Sequence, residues 1–425
     1  MPAPNLVGKV SPRPEVAPER EDVSVRHISD DERRARLAVR HALAPASRVA
    51  TPEAATEAMT VLHATEPPTV YLSLWARVTG LSVAAVDRAL YDERSLVKQL
   101  AMRRTLFVFP RDLLPAAWGS ASARVAAAHR ARLAKEVTLG LATDGAAWLE
   151  TAMRATVERL ADGSALSAAE LRDQVPALAG RLEMAPGKAY GGNIPIAPRV
   201  LTQLGLEAQI VRGRNGGHWR TSRPQWTAMR TWLGDVPEAP PAAAGYAEIV
   251  RRWLRTFGPG TSADLQWWLG GTKSAVAQAL GDVEAVAVEL DGGAVGWVLP
   301  DDLDPVPDPG PWVALLPVLD PTVMGWKERG FYLGDHGPAL FDRNGNAGTT
   351  AWVDGRIVGC WVQDADGTVR VVLLEEVGSG PRKALDEEAA RLTRWLDGHT
   401  VSTVYPSPAM KDGRVQANPR PAGRG

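Results

Sequence analysis

Residues 95–113, "SLVKQLAMRRTLFVFPRDL", decide the fold. "LVKQL" and "TLFVFP" are short, apolar-rich runs of strand composition, and Met102–Arg104 between them reads as a turn, so the stretch is a β-hairpin. Helical patterns precede it at about 70–78 and 82–90, and a further helix, "DERRARLAVRHAL", begins behind an N-cap candidate at Ser29 or Asp30. Another starts at Thr51-Pro52, with proline in its favoured first-turn position.

The same order recurs twice. "GAAWLETAMRATVERLA", "SAAELRDQV" and "APRVLTQLGL" lead into "AQIVRGRNGGHWRTSRPQW", where Asn215-Gly216 accepts the positive φ of a hairpin turn. "YAEIVRRWLRTFG", "TSADLQWWLG" and "TKSAVAQAL" lead into "VEAVAVELDGGAVGWVLPDDL". Helices followed by a hairpin describe a winged helix, and the helix before each hairpin is the one such a fold presents to the DNA major groove.

After the acidic, proline-rich "DPVPDPGP" the pattern changes. "PWVALLPVLD", "FYLGD", "PALFD" and "TTAWVDGRIVGCWVQDADGTVRVVLLEEV" alternate apolar and polar residues, which predicts five or more strands and a small barrel, closed by the helix "RKALDEEAARLTRWL". The expected fold class is therefore α+β: three tandem winged-helix units followed by a C-terminal β-barrel. The expected divisions are a disordered leader at 1–24, winged helices at 25–130, 131–240 and 241–309, the barrel with its helix at 310–405, and a flexible tail at 406–425.

Composition narrows the function classes. The net charge of −1 says nothing of an acidic partner, but its distribution does. Residues 199–255 hold nine arginines against four acids, whereas 281–320 hold nine acids and no lysine or arginine, an asymmetry compatible with one face turned to a polyanion. With 40 arginines among the 48 basic residues, a GC-rich genome would give the same bias. The single cysteine, Cys360, excludes an intramolecular disulfide and a multi-cysteine zinc site, and its apolar setting "RIVGCWV" reads as core. No apolar run is long enough to span a bilayer, so a cytoplasmic, nucleoid-associated location without membrane partners is expected.

Seven histidines form no HxxxH or HExxH pair, so no metal is expected. "GGNIPIAP" lacks the Lys-Ser/Thr of a phosphate-binding loop, and "GSASA" has no strand feeding it as a nucleophile elbow needs. Residues 59–77, "MTVLHATEPPTVYLSLWAR", remain. If a helix ends at Ala64 and the chain extends into Pro67, His63 and Thr65 converge on one small volume, where an imidazole and a hydroxyl hold a water molecule. The structural alternative is that the two residues cap and pack beneath a helix end.

"RRARLAVRHAL", "LHATEPPTVYLSLWAR", "ALYDERSLVKQLAMRRTLFVFPRDL", "LLPVLDPTVMGWKER" and "FDRNGNAGTTAWVDGRIVG" together resemble the AlkZ-like (YcaQ-like) family of winged-helix DNA glycosylases, over about residues 28–405. The resemblance implies tandem winged helices curved around duplex DNA, a following β-barrel, and hydrolysis of the N-glycosidic bond of alkylated purines without a cofactor. Its best-known members carry Gln-x-Gln or Gln-x-Asp where this chain has His63 and Thr65. The implied roles are His63 as acceptor of the water's proton, Thr65 as its orienter and Glu66 as a carboxylate partner. No lysine lies near the motif in sequence, which predicts a monofunctional enzyme. Implied DNA contacts are Arg103 and Arg104 on the first wing, Arg212, Arg214 and Arg220 on the second, Lys188, Asn193 and Arg199 beside the second recognition helix, and Trp326, Lys327 and Arg329 on a loop near the lesion. The partner is double-stranded DNA with alkylated bases, gripped by a monomer. A non-catalytic DNA-binding protein, either a regulator or a lesion-sensing pseudoenzyme, is the alternative, because the catalytic pair differs.

Overall fold

The computed structural model describes residues 25–184 and 192–417. The quoted hairpin forms as read. Strands Leu96–Leu100 and Leu106–Pro110 pair antiparallel across a tight turn at Met102–Arg104. A third strand, Leu62–His63, joins the outer side of Leu106–Pro110, with His63 opposite Phe107. This corrects the expected helix end at Ala64. The helix Pro52–Ala58 stops earlier, Thr60 turns the chain with a positive φ, and the main chain of residues 62 and 63 is taken up by the sheet. Pro67 and Pro68 do not terminate that helix; they open the next one, Pro67–Arg77, where a missing N–H costs nothing.

The second unit contains the helices Ala123–Gly140, Gly145–Arg159, Ala168–Gln174 and Ala197–Leu206, and the hairpin Ile210–Asn215/Pro224–Ala228. It also carries a hairpin absent from the sequence reading, Arg181–Met184 with Gly192–Pro195. The third unit has the helices Ala242–Phe257, Ser262–Leu269 and Lys273–Asp282, then the hairpin Val286–Leu290/Val295–Val298. His27–Ile28 adds to that last hairpin as a parallel strand. His27 and Ile28 are thereby tied to the third unit, and the helix Asp30–Arg40 follows them there. Arg36, 1% exposed, is ion-paired to Glu32 and Asp302, and Arg40 reaches Asp302 as well. The three units are not equivalent in packing. The second has a core of its own around Leu149, Met153, Leu204 and Ile210. The first unit, the helices of the third and the C-terminal module share one continuous core that Val211, Trp219 and Trp232 of the second unit also join. The third unit's hairpin closes a small separate cluster of Ile28, Val288, Leu290 and Val298.

The expected barrel is not present. Val313–Leu316, Thr350–Val353, Arg356–Gln363 and Val369–Leu373 form an open, four-stranded antiparallel meander in sequence order, with no pairing between its first and last strands. Two of the expected strand segments are helical, so only four strands remain and the sheet stays open. "FYLGD" and "PALFD" are not strands but short helices, Gly330–Leu333 and Gly337–Leu340. The helix Ser379–Leu396 packs on both edge strands of the meander. A further helix, Pro408–Ala417, lies where a flexible tail was expected, held by the buried Ala409 and Met410. Among the described residues no helix is long and apolar enough to cross a membrane.

Candidate active site

His63 lines an open cleft of about 540 Å³ between the first wing, the third unit and the C-terminal module. Arg103 and Thr105 come to it from the wing turn, and Trp267 from the helix Ser262–Leu269. Met324, Lys327 and Arg329 come from "DPTVMGWKER", and Phe341, Asn344 and Asn346 from "FDRNGN". No carboxylate is among the lining residues.

The His63 ring is half-buried, edge-on to Phe107 with centroids 5.4 Å apart. Burial, and then the nearby Arg103 guanidinium, push its pKa down to about 3. The imidazole is therefore neutral at every physiological pH. Its Nδ1 accepts from the main-chain N–H of Thr65 at 3.4 Å, so the ring proton of the neutral form sits on Nε2. A ring in this tautomer presents a donor, and its low basicity makes it a poor proton acceptor. Thr65 itself is exposed, its hydroxyl has no hydrogen-bond partner among the described residues, and it does not line the cleft.

Glu66 is not His63's partner. Its carboxylate accepts from the Val404 N–H at 2.6 Å and the Thr403 hydroxyl at 3.0 Å, fastening the chain that follows the long C-terminal helix. Burial raises its pKa, and those two hydrogen bonds oppose the rise.

The loop that brings Lys327 and Arg329 is anchored at two points by buried carboxylates. Asp320, fully buried, receives both terminal nitrogens of the equally buried Arg77 at 2.9 and 2.7 Å and the Ser73 hydroxyl at 2.7 Å. Burial alone would raise the Asp320 pKa, but Arg77 and these hydrogen bonds hold it below the usual carboxylate range. Arg77 also donates to Thr322, which meets His41 at 2.9 Å. Further along, Asp264 Oδ1 accepts from the main-chain N–H of both Lys327 and Glu328 at 2.8 Å. Trp326, between these anchors, is a core residue rather than a DNA contact: it is 3% exposed, donates to the Phe257 carbonyl at 3.1 Å and packs on Phe331 and Tyr332.

The remaining expected contacts scatter. Arg104 is exposed beside Arg103. Arg212 is half-buried over Trp226, Arg214 pairs with Asp92, and Arg220 donates to His218 and to the Thr400 carbonyl. Arg199 pairs with Glu136, Asn193 is exposed on its strand, and Lys188 lies outside the described residues. Sequence reading missed Trp267, Thr105, Asn344 and Asn346. The adjacent tryptophans of "LQWWLG" were a usable signal, since a short helix can bury only one of them fully: Trp268 is core and Trp267 faces the cleft. The absence of lysine near the motif holds in sequence but not in space, because Lys327 shares the cleft with His63.

A family model described as "DNA glycosylase AlkZ-like" matches residues 56–395. The chain belongs to the AlkZ-like family. The match takes in His63, the first wing, Trp267 and the doubly anchored loop. The solved structure of Streptomyces sahachiroi DNA glycosylase AlkZ superposes with a TM-score of 0.69 at 19% identity, over 88% of this chain and 98% of that one, a likeness of fold. No curated protein matches. The AlkZ-like match runs from within the first helix-and-hairpin unit, through the second and third, into the long helix of the C-terminal module.

Proposed function

We propose that this chain is a DNA glycosylase that hydrolyses the N-glycosidic bond of N7- or N3-alkylated purines in duplex DNA, bulky or crosslinked adducts included, in base excision repair or genotoxin self-resistance. The observation that carries the reading is the meeting of His63 with Arg103, Lys327 and Arg329 in one open cleft with no carboxylate lining it. Such a cleft attracts the DNA backbone, and its openness suits an adduct too large to be flipped into a snug pocket.

An alkylated purine departs as a cation's neutral product, so the leaving group needs no strong acid. The electrophile is then an oxocarbenium-like sugar, which water attacks without a strong base. His63 donates a hydrogen bond from Nε2 to the water oxygen. Thr65 orients that water through the ring, its main-chain N–H holding Nδ1, and the water's spent proton passes to solvent through the open cleft. The depressed pKa suits this task, since a protonated imidazole would place one more positive charge beside a cationic sugar. Lys188, Asn193, Arg199, Arg212, Arg214 and Arg220 extend the contacts along the duplex, and the three units grip it as a monomeric clamp.

The test is incubation with a duplex holding one N7-methylguanine, followed by alkaline cleavage at any abasic site. Cleavage above the enzyme-free background supports the reading. Tight binding without cleavage on any alkylpurine supports the lesion-sensing alternative.

A further inference from the structure

Two arginines in the cleft are held in a way that DNA attraction in general does not require. Arg103 stands at the wing tip with φ of 55°, and Arg104 after it has φ of 60°. A bulky residue in the left-handed region is strained, and hairpin turns ordinarily use glycine or asparagine there. The stem of Arg103 then passes close over Gly270, where a Cβ would sit 2.7 Å from Arg103 Cγ. Gly270 itself has φ of 59° at the end of the helix Ser262–Leu269, so two independent features leave this arginine its path. Its guanidinium lies over the Trp267 ring, 4.3 Å from the centroid.

Arg329 arrives from the opposite side of the sequence. Its guanidinium lies 5.1 Å from the same Trp267 centroid and 4.7 Å from that of Phe341. Neither arginine has a carboxylate partner among the described residues. Burial and then the charge of Arg329 lower the Arg103 pKa, so the two cations feel each other without compensation. Like charges held together at a cost to the free protein mark a place where an anion completes the arrangement.

We infer that Arg103, Trp267 and Arg329 form a seat for one phosphate group, and that its occupant is a single phosphodiester of the strand next to the damaged nucleotide. Trp267 is a positioning residue: it carries no charge, and its ring fixes where the two guanidiniums stand. Seating one phosphate beside His63 sets the register of the strand, so the adducted sugar is presented to the water that His63 holds. The inference rests on the DNA reading above, but its test needs no base release.

The full-length protein is titrated with duplexes carrying a central tetrahydrofuran abasic-site analogue, in which each flanking phosphate in turn is replaced by a neutral methylphosphonate. The expected result is a loss of about tenfold in affinity at one position, or at two adjacent ones, and a much smaller loss elsewhere. Arg329→Gln should lose a similar factor on the unmodified duplex and become indifferent to the replacement at that position. Trp267→Ala should behave like Arg329→Gln, and Trp267→Phe like the parent protein; circular dichroism and melting confirm that each variant is folded. A uniform response at all positions, or variants that keep the parent's position dependence, overturns the seat. A second arm uses a nicked duplex and inorganic phosphate as competitor. Arg329-dependence seen only with a terminal monophosphate or free phosphate overturns the phosphodiester assignment. Absence of any duplex binding overturns both the seat and the DNA reading, whereas binding with this pattern and no base release removes only the glycosylase.

Discussion

His63 stays neutral because its ring is packed against Phe107 and lies in the field of Arg103, which together push its pKa down to about 3. A group with a depressed imidazole pKa is protonated only below that value. Base release should therefore be flat from about pH 8 to pH 5, and decline only as the pH nears about 3, where folding is also measured. A histidine near its ordinary pKa of about 6.5, acting as a base, would give a falling rate across the same window; a pH profile of single-turnover release separates the two. Glu66 leads to a second expectation. Its carboxylate accepts two hydrogen bonds from residues 403 and 404, which a glutamine oxygen can also accept. Glu66→Gln should leave base release nearly unchanged, whereas Glu66→Ala should lower the melting temperature; a large loss of turnover in the glutamine variant would restore Glu66 to the chemistry. The scarcity of histidine and the proline pair made residue 63 stand out in sequence. Its position on a strand was not legible, because a two-residue strand has no periodicity and its partner, Phe107, is 44 positions away.

The wing tip is the element where local strain and charge meet. Arg104 is exposed, has a positive φ and has no acidic partner among the described residues. Arg104→Gly should relieve the backbone and raise stability by about 0.5–1 kcal/mol. The same change should weaken binding to any duplex sequence and reduce the salt slope by about one counterion. Chemical denaturation and a salt titration read the two effects separately, and an unaltered slope would remove Arg104 from the interface. The Asn215-Gly216 turn read for the second unit is not formed, since Asn215 ends its strand without a positive φ and residues 216–223 make a longer loop to the next one. The hairpins of the first and third units were legible because short apolar runs and an Asp-Gly-Gly turn are local signals, and Gly292 and Gly293 do take a positive φ. The C-terminal module was not. "FYLGD" and "PALFD" have strand-like alternation, but Phe331, Tyr332 and Leu333 are all buried, and packing into one shared core turns them into helical turns.

On the scale of the whole molecule, the cleft exists because distant segments are locked by ion pairs that no local pattern announces. Arg77 and Asp320 are both fully buried and lie 243 residues apart, and their bidentate contact fixes the lysine- and arginine-bearing loop against the first unit. Arg77→Met should destabilise the protein by about 3–5 kcal/mol by leaving a buried carboxylate unpaired. Pairing it with Asp320→Leu should restore part of that loss, and a double-variant denaturation series measures it. The sequence resemblance contained both "LWAR" and "LDPTVMGWKER", yet their contact could be known only once the chain was folded. The proposed release of the purine at this cleft depends on His63 positioning water. It is tested most directly by single-turnover release of N7-methylguanine from a duplex by the parent protein and by His63→Ala, with duplex affinity and melting curve measured on both. The expected result is release by the parent and a loss of about 10²-fold in the variant, with affinity and melting unchanged; release by the His63→Ala protein at the parent rate would contradict the role given to His63.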